Sequence, residues 1–125
     1  MRVERFSPDD PREWLNRARS NLAKARSGFE IPEVYLDDLC FDAQQAAEKA
    51  IKAVLIQLGV RFPYIHDLAQ LLALVEEAGR VLPLPIRQAA GLSEYAVAGR
   101  YPGPSEPVTT QEYHEAMALA EAVVS

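Results

Sequence analysis

The chain has a single cysteine, Cys40, and no apolar run that approaches the length of a membrane span. One cysteine cannot form an internal disulfide, so we expect a reducing, cytoplasmic location and a buried thiol that packs rather than reacts. A bilayer span needs about 20 apolar residues in a row, so we expect no membrane helix. Residues 1–5 also lack the pattern that opens a signal peptide.

Several catalytic motifs are missing as well. The sequence has no glycine-rich phosphate loop with its lysine and no nucleophile elbow. Metal-binding helical bundles place a glutamate three residues before a histidine, and neither His66 nor His114 follows that pattern. A lone cysteine cannot complete a zinc site with two histidines so differently placed. We therefore expect no metal and no cofactor.

Basic residues are fewer than acidic residues in this sequence. The 13 basic residues face 18 acidic ones, and the formal net charge is −5. Sequence-independent binding to duplex DNA needs many cations that neutralise phosphates, so we expect no duplex DNA partner. The 125 residues are 49% hydrophobic and 25% charged, which is typical of one globular domain spanning 1–125.

The apolar spacing predicts helices and no strand. Asp10 and Pro11 are typical of a helix start, with Glu13 placed to complete a capping box. Thr109 and Glu112 form the same pattern near the C-terminus. We predict helices over about 10–28, 33–58, 66–78, 86–97 and from 109 onward. The fold class is therefore all-α: an up-and-down bundle of four main helices plus a short extra helix.

The second predicted helix carries an alanine-rich face and a row of polar side chains. The alanines allow a neighbouring helix to approach closely, and the polar row consists of Gln44, Gln45, Glu48, Lys49 and Lys52. Glu48 and Lys52 also have the i, i+4 spacing of a surface ion pair, so a purely structural role stays open.

Two further groups of residues offer chemistry. Arg61 and His66 are separated by four residues, and such a pair supplies a guanidinium for an anionic oxygen and an imidazole for proton transfer. His66 before Asp67 at a helix start is also typical of a structural cap that anchors the loop. Tyr95, Arg100 and Tyr101 could stack on a base and contact a phosphate, or close one end of the bundle.

Three stretches together resemble the HEPN family of small all-helical proteins associated with nucleotides and RNA. They are Trp14-Leu15 with Ala18, the block from Ala43 to Ala53, and His66-Asp67-Leu68 followed later by Arg100-Tyr101-Pro102. The resemblance implies dimers, often encoded beside a minimal nucleotidyltransferase in toxin–antitoxin-like systems. Active members are metal-independent endoribonucleases in which four to six residues separate an arginine from a following histidine. Arg61 and His66 have that spacing, although Phe62 follows the arginine where the family usually has a polar residue.

Three functions follow as hypotheses. The first is a subunit that binds nucleotide or single-stranded RNA and a nucleotidyltransferase partner. Its predicted ligand-binding residues are Gln45, Lys49, Lys52, Tyr95, Arg100 and Tyr101. The second is an endoribonuclease that uses Arg61 and His66 in a dimer cleft. The third is a structural module for dimerisation and docking. A homodimer is expected under all three.

Overall fold

The computed structural model describes residues 2–95 and 107–124, and within them it contains helices and no strand. Helix α1 spans Pro11–Gly28, α2 spans Leu36–Gln57, and α3 spans Leu68–Glu77. The short α4, Leu84–Gln88, continues as a 3-10 helix over Ala89–Glu94, and α5 spans Thr110–Val124. The predicted all-α bundle of four main helices and a short extra one is confirmed.

The helix ends follow from their capping residues. Asp10 caps α1 by accepting a hydrogen bond from the Arg12 backbone N–H at 2.9 Å. Asp67 caps α3 by accepting from Ala69 N–H at 3.0 Å. Thr109 and Glu112 form the predicted reciprocal capping box of α5, at 3.0 and 3.1 Å. Gly59 and Gly79 follow α2 and α3 with positive φ values of 72° and 93°, which ends each helix.

The predicted helix bounds differ from those of the structure by one or two residues at several ends, and two helices differ in ways that have a local cause. Helix α2 begins at Leu36 rather than residue 33, because Val34 N–H donates to Ile31 O at 3.1 Å in a turn that precedes the helix. The predicted helix over 86–97 starts earlier, at Leu84 after Pro83, and tightens into the 3-10 helix at Ala89. Glycine is a poor helix former, and Gly91 lies within this tightened part. Residues 96 and 97 lie outside the described residues.

Alanines let α1 and α2 pack closely, as their sequence pattern predicts. These two helices make the most extensive contact between elements. Ala18 and Ala25 of α1 and Ala43, Ala46 and Ala47 of α2 are all fully buried. Small side chains bring two helix axes together, and the polar residues that follow on α2 are thereby held against α1.

Larger apolar side chains and one tyrosine complete the core. Leu55, Leu68 and Leu71 are fully buried, and Tyr113 Oη of α5 donates to Ala25 O of α1 at 2.8 Å. Cys40 is fully buried, and burial raises the pKa of its thiol to about 12. The prediction of a packing thiol is confirmed. Among the described residues, no helix is both long and apolar enough to cross a bilayer.

Candidate ligand-binding cleft

A cleft of about 480 Å³ opens between the N-terminal segment, α1, α2 and the α2–α3 loop. Eight of its twelve lining residues carry a charge, an amide or an imidazole, and the other four are Phe6, Pro8, Trp14 and Tyr64. The eight are Arg5, Glu13, Arg17, Gln45, Glu48, Lys49, Lys52 and His66. We call this feature the polar cleft. Four cations against two carboxylates give it a formal charge of +2 with His66 neutral, in a chain of net charge −5.

Glu48 is the centre of a hydrogen-bonded network at the base of the cleft. Its carboxylate accepts from Gln44 Nε2 at 2.9 Å, from Lys52 Nζ at 3.0 Å and from His66 Nδ1 at 2.9 Å. Glu48 and Lys52 are each 3% exposed. The predicted i, i+4 ion pair therefore forms, but the expectation that it lies on the surface is wrong, because Trp14 and the α2–α3 loop cover it.

The network keeps the Glu48 carboxylate ionised. Burial alone raises its pKa, but hydrogen bonds from Gln44, Lys52 and His66 outweigh burial and lower the pKa below its ordinary value. A buried carboxylate with three donors is an acceptor only. It therefore fixes the hydrogen-bonding direction of every group around it.

Three aromatic rings surround the Lys52 ammonium. Its Nζ lies 5.8 Å from the ring centroid of Trp14 and 5.6 Å from those of Phe62 and Tyr64. Cations are attracted to the faces of such rings at about this distance. Trp14 and Phe62 also pack edge to face at 6.2 Å. Lys52 is thus held by Glu48 on one side and by aromatic rings on the others.

Lys49 lies one helical turn along the same face of α2, and it is less enclosed. Its Nζ donates to Asn21 Oδ1 at 2.8 Å, and Asn21 Nδ2 donates to Asp42 at 3.0 Å. Asp42 also pairs with Lys24 at 3.2 Å. Burial lowers the pKa of Lys49, and the nearby charges of Lys24 and Arg17 lower it further against the opposing effect of Glu48 and Asp42. The positive charge of Lys49 is therefore only partly balanced by the negative charges around it.

The N-terminal segment forms one wall of the cleft. Phe6 N–H donates to Glu13 Oε1 at 2.9 Å, and Trp14 Nε1 donates to Pro8 O at 2.7 Å. The predicted capping role of Glu13 is wrong, because its carboxylate binds Phe6 and, at 2.7 Å, Arg17 instead of the helix cap. The hydrogen bond from Phe6 lowers the pKa of Glu13. Together with the hydrogen bond that Asn16 Nδ2 donates to Glu4 O at 2.8 Å, these contacts hold residues 4–8 along α1.

The structure brings some of the predicted site residues together. Gln45, Lys49, Lys52 and His66 all line the polar cleft. Arg61 is exposed and is not among the lining residues.

Tyr95, a further predicted ligand residue, does not line the polar cleft. Tyr95 is half-buried at the end of the 3-10 helix and packs against the core, and burial raises the pKa of its hydroxyl. Arg100 and Tyr101 lie outside the described residues. Sequence reasoning missed Arg5, Glu13, Arg17 and Tyr64, as well as the role of Trp14. A signal was available, since Glu13 and Arg17 have i, i+4 spacing beside an aromatic residue.

A second cavity, of about 340 Å³, lies at the C-terminal end of α2 beside α3 and α4. We call it the apolar groove. Gln57 and Arg80 are the only polar residues among its thirteen described lining residues, and Ile51, Val54 and Val75 are typical of the rest. It offers no charged cluster and is a poor candidate for a polar ligand.

The fold and the polar cleft together define a small helical bundle with a ligand-sized, cation-lined site. Residues 11–125 match the family model of the HEPN domain. The chain belongs to the HEPN domain family, so the resemblance noted from the sequence is confirmed. The crystal structure of ST0689, an archaeal HEPN homologue, is similar with a TM-score of 0.74 and 26% sequence identity, over 92% of each chain. No curated protein sequence matches significantly.

Proposed function

We propose that this HEPN protein binds a nucleotide or single-stranded RNA in the polar cleft, as the partner subunit of a minimal nucleotidyltransferase. The observation that carries the proposal is the combination of cations and aromatic rings in one cavity of ligand size. Pockets for small molecules have volumes of roughly 300–1,000 Å³. The polar cleft, at about 480 Å³, is within that range.

The cations of the cleft supply contacts for a phosphate. Lys49 and Arg17 line the same cavity, and Lys49 has only the neutral amide of Asn21 as its hydrogen-bond partner among the described residues. A phosphate would relieve the repulsion that Lys49 experiences from Arg17 and Lys24. Lys52 contributes less, because Glu48 and three aromatic rings already neutralise and cover it.

The aromatic side chains supply a surface for a base. Tyr64 is 93% exposed although it lines the cleft, so one face of its ring is open to a ligand. Stacking of a base on an aromatic ring contributes about 1–3 kcal/mol. Trp14 and Phe6 also line the cleft. A ligand with one anionic end and one flat end matches this lining.

Calorimetric titration with AMP, GMP, ATP and a short single-stranded RNA tests the ligand part of the proposal. We expect Lys49→Gln and Arg17→Ala to weaken binding about tenfold each, as for the loss of one charge-assisted hydrogen bond. Arg19→Ala is the matched control, because Arg19 is an exposed arginine of the same helix outside the cleft. Absence of binding to all four ligands at millimolar concentration would refute this part.

The partner part rests on membership of the family and has its own tests. We propose a homodimer that also binds a minimal nucleotidyltransferase in a toxin–antitoxin-like pair. A short nucleotidyltransferase gene beside this one, and co-elution of the two proteins on size exclusion, would support the pairing. Light scattering that gives a monomer at tens of micromolar would contradict the homodimer.

A second candidate function, a metal-independent endoribonuclease, is favoured by one observation. His66 is hydrogen-bonded through Nδ1 to the buried Glu48 carboxylate, which is how many catalytic imidazoles are oriented. Cleavage of single-stranded RNA in EDTA that is lost in both His66→Ala and Arg61→Ala would support the catalytic pair predicted from the sequence. Loss in His66→Ala but not in Arg61→Ala would indicate that a cation of the cleft, rather than Arg61, stabilises the anionic oxygen. Unchanged cleavage in His66→Ala would exclude His66 as the group that transfers the proton.

A further inference from the structure

The polar cleft contains a relay of hydrogen bonds with a fixed direction. It runs from Glu48 through the side-chain amide of Gln44 to that of Gln45. Gln44 is fully buried and Gln45 lines the cleft. The relay therefore connects the ionised carboxylate at the base of the cleft with a side chain that a ligand can reach.

The orientation of the Gln44 amide is determined by its partners. Its Nε2 lies 2.9 Å from Glu48 Oε1 and 3.4 Å from His66 O. An ionised carboxylate and a backbone carbonyl can only accept hydrogen bonds, so the NH₂ group of Gln44 must face them. The opposite orientation would bring three oxygens together in a buried site, where unpaired acceptors are costly. Gln44 Oε1 consequently faces Gln45.

The same reasoning fixes Gln45. Gln44 Oε1 is an acceptor, so the group of Gln45 that lies 2.7 Å from it is the NH₂ donor. Gln45 Oε1 has no hydrogen-bond partner among the described residues, where every buried side-chain polar atom has one. It is therefore accessible to solvent or ligand. One carboxylate thus determines the orientation of both amides.

The Glu48 carboxylate also determines which ring nitrogen of His66 is the donor. Its Nδ1 lies 2.9 and 3.1 Å from the two Glu48 oxygens, so Nδ1 carries the proton. In the neutral ring, Nε2 is then an acceptor, and it has no partner among the described residues. Gln45 Oε1 and His66 Nε2 thus offer two acceptors beside the cations of the cleft.

We propose that Gln45 is a specificity-determining residue whose Oε1 accepts from the exocyclic amine of a bound nucleotide base. The inference rests on the proposed function and adds a ligand class to it: amino bases over their oxo counterparts. An oxo group facing Gln45 would leave two acceptors opposed and unpaired. The amide cannot turn over to accommodate it, because rotation would break its bond to Gln44 and oppose two oxygens there.

Matched nucleotides test this inference. AMP and IMP differ in an amine against a carbonyl at one ring position, and CMP and UMP differ in the same way. We expect the amino member of at least one pair to bind about tenfold more tightly by calorimetry, as for one buried hydrogen bond against an unpaired acceptor. Gln45→Leu should reduce that ratio to near one while phosphate binding persists. Gln111→Leu, at an exposed glutamine of α5, should leave it unchanged.

The outcomes separate this inference from the function on which it rests. Nucleotides that bind with equal affinity within both pairs, or with a preference for IMP and UMP, overturn the inference but leave nucleotide binding intact. A preference that survives in Gln45→Leu also overturns it, because another residue then reads the amine. Failure of these four nucleotides to bind, while ATP or the RNA binds, overturns the inference alone, and absence of binding to every nucleotide and to the RNA refutes both. Gln45→Lys, which replaces an acceptor with a donor, should shift the preference toward IMP and UMP.

Discussion

The polar cleft and the apolar groove are both built on helix α2, and they differ in what holds them together. In the cleft, buried Glu48 and Lys52 depend on specific partners, and each polar atom has a fixed direction. In the groove, Ile51 and its neighbours depend only on non-directional burial. One helix thus carries an arrangement suited to recognition in its middle and ordinary core packing at its end.

The difference implies a different sensitivity to mutation. A directional network loses several interactions when one member is removed, whereas an apolar cavity loses packing in proportion to the volume removed. Among the described residues no buried side-chain polar atom lacks a hydrogen bond, so the cleft network is complete without a ligand. A ligand in the cleft therefore has to bind the groups at its rim, such as Lys49, Gln45 and Tyr64.

The largest effect is expected at Glu48. Glu48→Ala leaves the Lys52 ammonium buried without its counter-charge, which typically costs about 3–5 kcal/mol in the free energy of unfolding. Glu76→Ala is the control, because Glu76 forms an exposed ion pair with Arg87 at 3.0 Å. Exposed pairs contribute about 0–1 kcal/mol. Urea denaturation measures both, and a similar small loss in the two variants would contradict the structural role of the network.

In the apolar groove, Ile51→Ala should cost about 2–4 kcal/mol, because the side chain is 3% exposed. Val54→Ala, at a residue that is 41% exposed in the same groove, should cost about 0.5 kcal/mol or less. Both variants should bind nucleotides as the parent does when folded. Loss of nucleotide binding in either folded variant would indicate that the ligand binds in the groove and not in the cleft.

Acid should destabilise the cleft rather than the groove. The folded-state pKa of Glu48 is lowered, so its carboxylate contributes stability above the ordinary pKa of about 4.5. That contribution is lost as the pH falls from about 4.5 through the folded-state pKa, because over this range the unfolded chain binds a proton that the folded protein does not. Glu48→Gln should therefore show a shallower loss of unfolding free energy below pH 4.5 than the parent. Equal slopes would indicate that Glu48 does not titrate differently on folding.

Most of the fold was predictable from the sequence, because its signals are local. The Asp10 cap, the Thr109–Glu112 capping box and the alanine face of α2 each depend on residues a few positions apart. The bounds that differ depend on contacts that spacing does not reveal. The tightening at Ala89 is one case, and the turn from Ile31 to Val34 before α2 is another.

The site was only half predictable, for a related reason. Gln45, Lys49, Lys52 and His66 were recognisable as polar residues of the central helix and the following loop. Their burial was not, because it depends on Trp14 and on residues 4–8 folding back along α1. Arg61 could be proposed from its spacing to His66, but spacing does not indicate on which side of a loop a side chain lies.

The smallest effects are expected at the aromatic rings around Lys52, and they separate stability from recognition. Phe62 is half-buried and does not line the cleft, whereas Tyr64 is 93% exposed and does. Both ring centroids lie 5.6 Å from Lys52 Nζ. Phe62→Leu should cost about 1 kcal/mol of stability, because a cation–π contact in a desolvated site is lost. Tyr64→Leu should cost about 0.5 kcal/mol or less, since exposed contacts of this kind are weak.

The order of the two variants should reverse for ligand binding. Tyr64→Leu should weaken AMP binding about tenfold through lost stacking, and Phe62→Leu should change it little. If Phe62→Leu weakens AMP binding as much as Tyr64→Leu does, the rings act together to place Lys52, and Tyr64 is not a stacking surface for the base.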